Sequence, residues 1–394
     1  YFVDVPAGSP TQVSVSLDFD PSMNRVEWVE VEDRAEGFAA HPEGDVVAVD
    51  SRGEIFLVPV DPEEGEKTQI TSSAWRDRYQ QFSPDGRYLA YVSDEEGREE
   101  IWVAELATGE RRRLTDHDSY KGAHLWSPDS ERIAFVAANT LFEVEVASGE
   151  TTELVYNQNR GFSLNAYSPD GEWLLYSRRD LDEDQEVYLF NLESRDELNV
   201  TRDPFNDYGG VFTPDGSHLV FRSNRDEGTP HLFAVSLARL SEDPDDPLVR
   251  GREEDEEDEE DEEEGDAAEP APLSVDVDGI RERARQLTSG EEGVGSYLLS
   301  ADGETVYFTS RDEEGAGLFS VSIRGGEPER VASGSFSGLQ PTRDRRTVFF
   351  SRGGEIHHMR LGGGSARPEQ VEFAFSVKVD HRAEWEQIFE EAWR

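Results

Sequence analysis

The sequence predicts an all-β fold, a seven-bladed β-propeller of four-stranded blades, followed by a short C-terminal amphipathic helix. Three observations lead there. First, the turn phrase Ser83-Pro84-Asp85-Gly86 recurs as Ser127-Pro128-Asp129-Ser130, Ser168-Pro169-Asp170-Gly171, Thr213-Pro214-Asp215-Gly216 and Ser300-Ala301-Asp302-Gly303, with looser copies at His41-Pro42-Glu43-Gly44 and Thr342-Arg343-Asp344-Arg345. Pro sets φ for the second turn position, Asp bonds its own backbone and Gly accepts positive φ, so the phrase is a hairpin turn. Second, each turn is followed by β-branched and aromatic residues, as in Glu172-Trp173-Leu174-Leu175-Tyr176-Ser177, and then by two further strand-like runs such as Ile101 to Leu106 and one ending Arg113-Leu114-Thr115. Third, Pro42, Pro84, Pro128, Pro169 and Pro214 follow one another at 42, 44, 41 and 45 residues. Four strands at a period near forty are the pattern of propeller blades, which stack radially because one blade cannot bury both its faces.

Taken in order, residues Tyr1 to Leu17 read as strand, turn and strand, like Ile55 to Ile70, and are expected to be the trailing half-blade of an upstream propeller. Residues 18–374 form the seven-bladed ring. Blades 1 to 4 run from Glu36 to about Val200. The step from Pro214 to Ala301 is 87 residues, which we read as one blade with a long insertion between a third strand at His231 to Leu237 and a fourth at Arg285 to Thr288. Its centre, about 242–272, is too acidic and too poor in apolar residues to fold, and reads as a disordered loop. The last blade is expected wholly within Leu339 to Phe373, with the ring closed by blade-to-blade contacts alone. Residues 375–394 begin a helical linker toward a downstream region. There Trp385, Ile388, Phe389, Ala392 and Trp393 share one helical face and Asp380 is a plausible N-cap.

Composition narrows the partners. The net charge is -49, and removing the twelve consecutive acids from Glu253 to Glu264 still leaves -37. Such a field argues against nucleic acid and anionic membranes as partners. Three lysines stand against 35 arginines, and a carboxylate-rich, lysine-poor surface suits a halophile's cytosolic protein. With no cysteine, a reducing, cytoplasmic compartment fits. No apolar run reaches the length of a membrane span.

The strand before each turn phrase is short and holds small or polar residues, as expected next to a propeller axis. Loops leading into these strands carry Arg76, Arg78, Tyr120, Lys121, Asn159, Arg160 and Tyr208. With Gln80 and Asn165 on the strands themselves, these are the candidate lining of a substrate channel. Basic and aromatic loop residues suit a peptide carboxylate or acidic side chains, but in a chain where Arg is common throughout, scattered surface ion pairs are the better reading of them.

Nucleophile-elbow, zinc-helix and phosphate-loop patterns are absent, so no catalytic, metal or cofactor residue is assigned. The eight histidines (His41, His117, His124, His218, His231, His357, His358 and His381) show no ligand spacing. Asp180, Asp182 and Asp184 alternate as calcium ligands do, but Gln185 occupies the position that needs Gly and Asn191 the one that needs Glu.

The turn phrase and Ala107-Thr108-Gly109-Glu110-Arg111-Arg112-Arg113-Leu114-Thr115 resemble the propeller repeats of the TolB, prolyl oligopeptidase and tricorn families. The half-blade at Tyr1 to Leu17, the phrase Val275-Asp276-Val277-Asp278-Gly279-Ile280 with Arg283, and the tail from Phe375 to Arg394 resemble tricorn-type serine peptidases in particular. That resemblance implies an internal, non-catalytic fragment filtering or guiding peptides to a downstream serine active site. Its partners would be peptides and the remainder of the parent chain, the parent being a homo-oligomer with its catalytic residues beyond residue 394. A prolyl-oligopeptidase-like propeller and a TolB-like binding propeller without enzymatic role are the alternatives.

Overall fold

In the computed structural model, residues 2–3, 10–11, 26–33, 35–117, 119–158, 161–179, 184–226, 228–239, 273–362 and 367–393 are described. They form seven antiparallel four-stranded sheets, each with its strands in sequence order, as the turn phrases predict. Blade 1 comprises Gly37–Ala40, Val46–Ser51, Glu54–Pro59 and Thr68–Gln69, and blade 2 Asp77–Phe82, Tyr88–Ser93, Glu100–Glu105 and Arg111–Arg113. Blade 3 comprises Lys121–Trp126, Arg132–Ala137, Thr140–Glu145 and Thr151–Tyr156, and blade 4 Phe162–Tyr167, Trp173–Arg179, Gln185–Asn191 and Glu197–Asn199. Blade 5 comprises His218–Asp226 and Thr229–Ser236 between Asp207–Phe212 and Arg285–Gln286, so its outermost strand does lie across the insertion. The acidic residues 242–272 lie outside the described residues. Blade 6 comprises Tyr297–Leu299, Thr305–Asp312, Gly315–Ser322 and Glu329–Ser333, and blade 7 Ser337–Pro341, Thr347–Arg352, Glu355–Arg360 and Glu369–Gln370.

The turn phrase works through one set of bonds. Gly86 N–H closes the turn on the Ser83 carbonyl at 2.9 Å, and Asp85 Oδ1 accepts from Arg87 N–H at 3.0 Å and from the Ser83 hydroxyl at 2.5 Å. The Ser83 oxygen in turn accepts from Tyr88 N–H at 3.0 Å, which starts the next strand. The hydroxyl at the first position makes the same contacts at Ser127, Ser168, Ser300 and Thr342. The fourth residue must take positive φ (74° at Gly86), and Ser130 and Arg345 bear that strain where glycine is missing.

Each of the seven seams between blades holds its own apolar cluster. Leu175, Val187, Leu219 and Phe221 typify that between blades 4 and 5. The first strands of blades 1 to 5 adjoin one another in order around the axis, as do those of blades 6 and 7, and that of blade 7 adjoins that of blade 1. Blade 7 is complete without an N-terminal strand. The ends of the ring nevertheless meet outside it, because Val26–Glu32 pairs antiparallel with Ala374–Asp380, with Trp28 opposite Lys378. This corrects the expectation of closure by blades alone. Alternation puts Val31, Phe375 and Val377 on one face, where they join the cluster of Val47, Val49, Phe56, Phe349 and Ile356 at the seam between blades 7 and 1. Phe375 stacks on Phe56 with ring centroids 3.9 Å apart. Residues Val13 to Leu17 lie outside the described residues; the first described pairing joins Phe2–Val3 to Pro10–Thr11.

The helix spans His381–Trp393, and Asp380 caps it by accepting from the N–H groups of Arg382 (3.1 Å) and Ala383 (3.3 Å). Trp385, Ile388 and Phe389 on its apolar face are exposed. Among the described residues no helix is long and apolar enough to cross a membrane.

Candidate functional site

Arginine and aromatic side chains gather at several places near the starts of the first strands. The first is an aromatic and arginine cluster between blades 2 and 3. The Arg78 guanidinium lies 4.7 Å from the Tyr79 ring centroid and 5.9 Å from that of Tyr120, and is held by the Glu99 carboxylate. The two tyrosine hydroxyls are 3.4 Å apart, and the side chains are exposed, Tyr79 by 46% and Tyr120 by 63%. That contact raises the Tyr120 pKa, since ionising one phenol beside the other is disfavoured.

Two clefts flank the first strand of blade 1. One, of about 270 Å³, is walled by Glu36, Gly37, Arg76, Arg78 and Tyr79. The other, of about 360 Å³, lies toward blade 7, between Glu36, Phe38, Ser337, Gly338 and Gln340. Arg76 is exposed and its backbone N–H bonds Asp94 at 2.7 Å; its side chain has no ion-pair partner among the described residues.

Further arginine and aromatic pairs continue around the ring. Arg222 stacks on Tyr208 at 4.6 Å, faces Tyr297 at 5.9 Å and donates to the Gly295 carbonyl at 3.1 Å. Arg352 lies over Phe336 and Phe350. The sequence reading missed Tyr79, Arg222 and Arg352. Arg352 ends the second strand of blade 7, whereas Arg222 lies in the middle of that of blade 5, so no shared sequence position marks the two.

Among the described residues no cluster of three or more His, Asp or Glu side chains could hold a metal ion. A family model described as the tricorn protease second β-propeller domain matches residues 35–317. The chain belongs to this family. It is 30% identical over 192 residues to Tricorn protease homolog 1 of Streptomyces coelicolor, covering 43% of this chain and 18% of that protein. It is 30% identical over 152 residues to the uncharacterized peptidase YuxL of Bacillus subtilis, covering 37% of this chain and 22% of that protein. The chain thus spans about a fifth of the length of these relatives. The crystal structure of the tricorn protease shares the fold, with a TM-score of 0.70 at 15% identity over 92% of this chain and 37% of that one.

In this tricorn-type propeller two candidates turn away from the channel. Lys121 is fully buried: its ammonium pairs with Glu100 at 2.9 Å and donates to the carbonyls of Glu99 (2.9 Å), Ser119 (2.9 Å) and His117. Gln80 is buried as well, donating from Nε2 to Asp50 Oδ1 at 2.8 Å across the seam to blade 1. Both corrections have one cause, a β-bulge that interrupts the first strand between Arg78 and Gln81 and between Lys121 and His124 and re-aims its side chains. Asn165 is half-buried and accepts from the Ser177 hydroxyl at 2.8 Å. Tyr208 lies under Arg222, Arg76 and Arg78 wall the cleft beside blade 1, and Tyr120 is exposed next to Arg78. Asn159 and Arg160, like Asp180 and Asp182, lie outside the described residues.

Lys121 belongs to a buried polar layer. In blade 2 the Thr115 hydroxyl donates to Glu100 at 2.5 Å and accepts from Ile101 N–H at 2.9 Å. The same arrangement joins Thr71 to Glu54 and Thr201 to Glu186, while Thr288 meets His231 in blade 5. Burial raises the Glu186 pKa to about 7, that of Asp77, which lies near Thr71 and Glu54, to about 7 and that of Asp207 to about 6, although Arg225 pairs with Asp207 at 3.0 Å.

Proposed function

We propose that this propeller is the non-catalytic region of a tricorn-like serine peptidase, filtering or guiding peptides toward an active site elsewhere in the parent protein, and that peptide degradation is the parent's activity. Membership of the second-propeller family supports the parent's class. The observation that carries the guiding role is electrostatic. In a chain of net charge -49, the seven innermost strands hold four charged side chains, Asp77, Arg78, Lys121 and Asp207, two of each sign. Arg78, Lys121 and Asp207 are paired with Glu99, Glu100 and Arg225, and Asp77 is buried. The lumen therefore carries no net charge of its own, and an extended peptide meets neither a wall of like carboxylates nor a trap of free cations. A passage ringed by seven innermost strands would select extended peptides over folded proteins.

The test uses the full-length parent. The 394 residues contain no cysteine, so Ala123→Cys and Ser337→Cys, exposed on the innermost strands of blades 3 and 7, place reactive thiols there. Attaching a bulky maleimide polymer to both should slow hydrolysis of short peptides strongly. Unchanged hydrolysis after full labelling would exclude this channel as the substrate route.

A further inference from the structure

Beyond the channel reading, and resting on it, the geometry points to a peptide-carboxylate subsite in the cleft between blades 1 and 2, with Arg76 as the cation and the Tyr79 ring as the opposing wall. The first observation is backbone strain. Five first strands carry a bulge, and in four of them a pair of residues lies opposite a single one between the paired positions. The first of the two is Gly122 in blade 3, Gly209 in blade 5 and Gly338 in blade 7, but Tyr79 in blade 2. Gly209 and Gly338 have φ of 68° and 63°, and Tyr79 is held at 58°. For a bulky residue this left-handed conformation costs about 1–2 kcal/mol relative to an ordinary one. Glycine would sit there freely.

The strained bulge is fastened on both flanks. Arg78 before it is anchored by Glu99, and Gln80 after it bonds Asp50 of blade 1 at 2.8 Å. Tyr79 itself is not buried for stability, being 46% exposed; Arg78 lies on its ring, and among the described residues its hydroxyl meets the exposed Tyr120 across the seam. A costly conformation that leaves an aromatic ring in solvent is what a display residue looks like.

The second observation is charge. Tyr79 and Arg76 wall the same cleft of about 270 Å³. Arg78 in that wall is already neutralised by Glu99, whereas the Arg76 side chain has no ion-pair partner among the described residues. The other ionisable groups facing the cleft are Glu36, whose Oε1 accepts from Arg52 N–H at 3.1 Å, and the buried Asp50 and Asp77. An unpaired guanidinium beside a ring suits a carboxylate held by two parallel N–H donors, with the neighbouring peptide unit lying on the aromatic face. Such a carboxylate comes from a peptide C-terminus or from an acidic side chain.

Calorimetric titration of the 394-residue chain at fixed ionic strength separates these sources. Three probes serve: a heptapeptide of alanine and serine with one phenylalanine and a free C-terminus, its C-terminal amide, and that amide with glutamate as the last residue. We expect the free-acid peptide to bind at least about tenfold more tightly than the plain amide. Arg76→Gln should remove that preference. Tyr79→Gly should weaken both a few-fold while leaving the thermal midpoint unchanged or raised, because glycine relieves the strain. If the glutamate amide matches the free acid, the subsite reads any carboxylate; if it matches the plain amide, only the terminus. Equal binding of free acid and amide, or no effect of Arg76→Gln, would overturn the subsite and leave the channel reading intact. A large drop in midpoint for Tyr79→Gly would make Tyr79 a packing residue and remove it from the proposal. Failure of the chain to bind any probe would overturn the subsite together with peptide recognition at this face.

Discussion

Gln340 in blade 7 donates from its side-chain amide to the Phe38 carbonyl in blade 1 at 2.9 Å, and its Oε1 accepts from Ala40 N–H, also at 2.9 Å. One side chain thereby imitates a strand neighbour across the closing seam of the ring, between residues about 300 positions apart. Removing it should loosen the closure. Gln340→Leu leaves a donor and an acceptor unmet, about 2–3 kcal/mol in all. Gln340→Glu at pH 8 can still accept from Ala40 but sets a carboxylate against the Phe38 carbonyl, so its urea midpoint should fall further than that of the leucine variant. Equal midpoints for wild type and both variants would show that the seam closes without this bond.

Lys121→Met should cost about 3–5 kcal/mol, because it strands the Glu100 charge and three carbonyls in a site with no solvent. Adding Glu100→Gln to the variant should restore part of the loss. Peptide affinity, measured below the unfolding transition, should be unaffected by either change, since Lys121 does not reach the face.

Stability should rise as the pH falls from 8 to about 5. Asp77 and Glu186 have folded pKa values near 7 and Asp207 near 6, whereas unfolded carboxyls titrate near 4. Between those limits the folded chain holds protons that the unfolded chain has lost, so these groups add stability at low pH and lose it as pH rises through their folded values. His124, pushed down to about 4 by burial, acts the other way below pH 6.5, when the unfolded imidazole charges and the folded one cannot. His218 and His358 are also held below their usual value by burial, but Asp50 and Glu54 join the raised carboxyls, and acidification relieves the self-repulsion of a chain of net charge -49. Thermal midpoints across this range check the trend; Asp77→Asn should flatten it, each unit between folded and unfolded pKa being worth about 1.4 kcal/mol.

The outer ribbon should matter on one face only. Phe375→Ala removes the ring stacked on Phe56 and should destabilise by about 2 kcal/mol, below a full core deletion because Phe375 is half-buried. Trp28→Ala, on the opposite, exposed face, should be nearly neutral. The two urea midpoints decide whether the ribbon is a clasp.

The blade count was legible because every determinant lies within about forty residues. The Ser-Pro-Asp-Gly turn contains its own acceptor, its own hydroxyl cap and its own positive-φ position, so the hairpin forms wherever the phrase occurs. Asp380 as a helix cap is local in the same way. That the loops into innermost strands share one end of the axis was legible too, because every blade repeats the same strand order. What each side chain does at that end was decided by tertiary structure. A bulge of one residue swings Gln80 toward Asp50 and buries Lys121 beneath the surface, and no local pattern distinguishes these from Arg76. Tyr79 is an intermediate case: its place where other blades have glycine can be read from the sequence, but its strain and its contact with Tyr120 depend on the fold. The ribbon that joins Val26–Glu32 to Ala374–Asp380 is the clearest instance of the second kind, because alternating apolar residues specify a half-buried strand without naming its partner, and only closing the ring brings the two ends together.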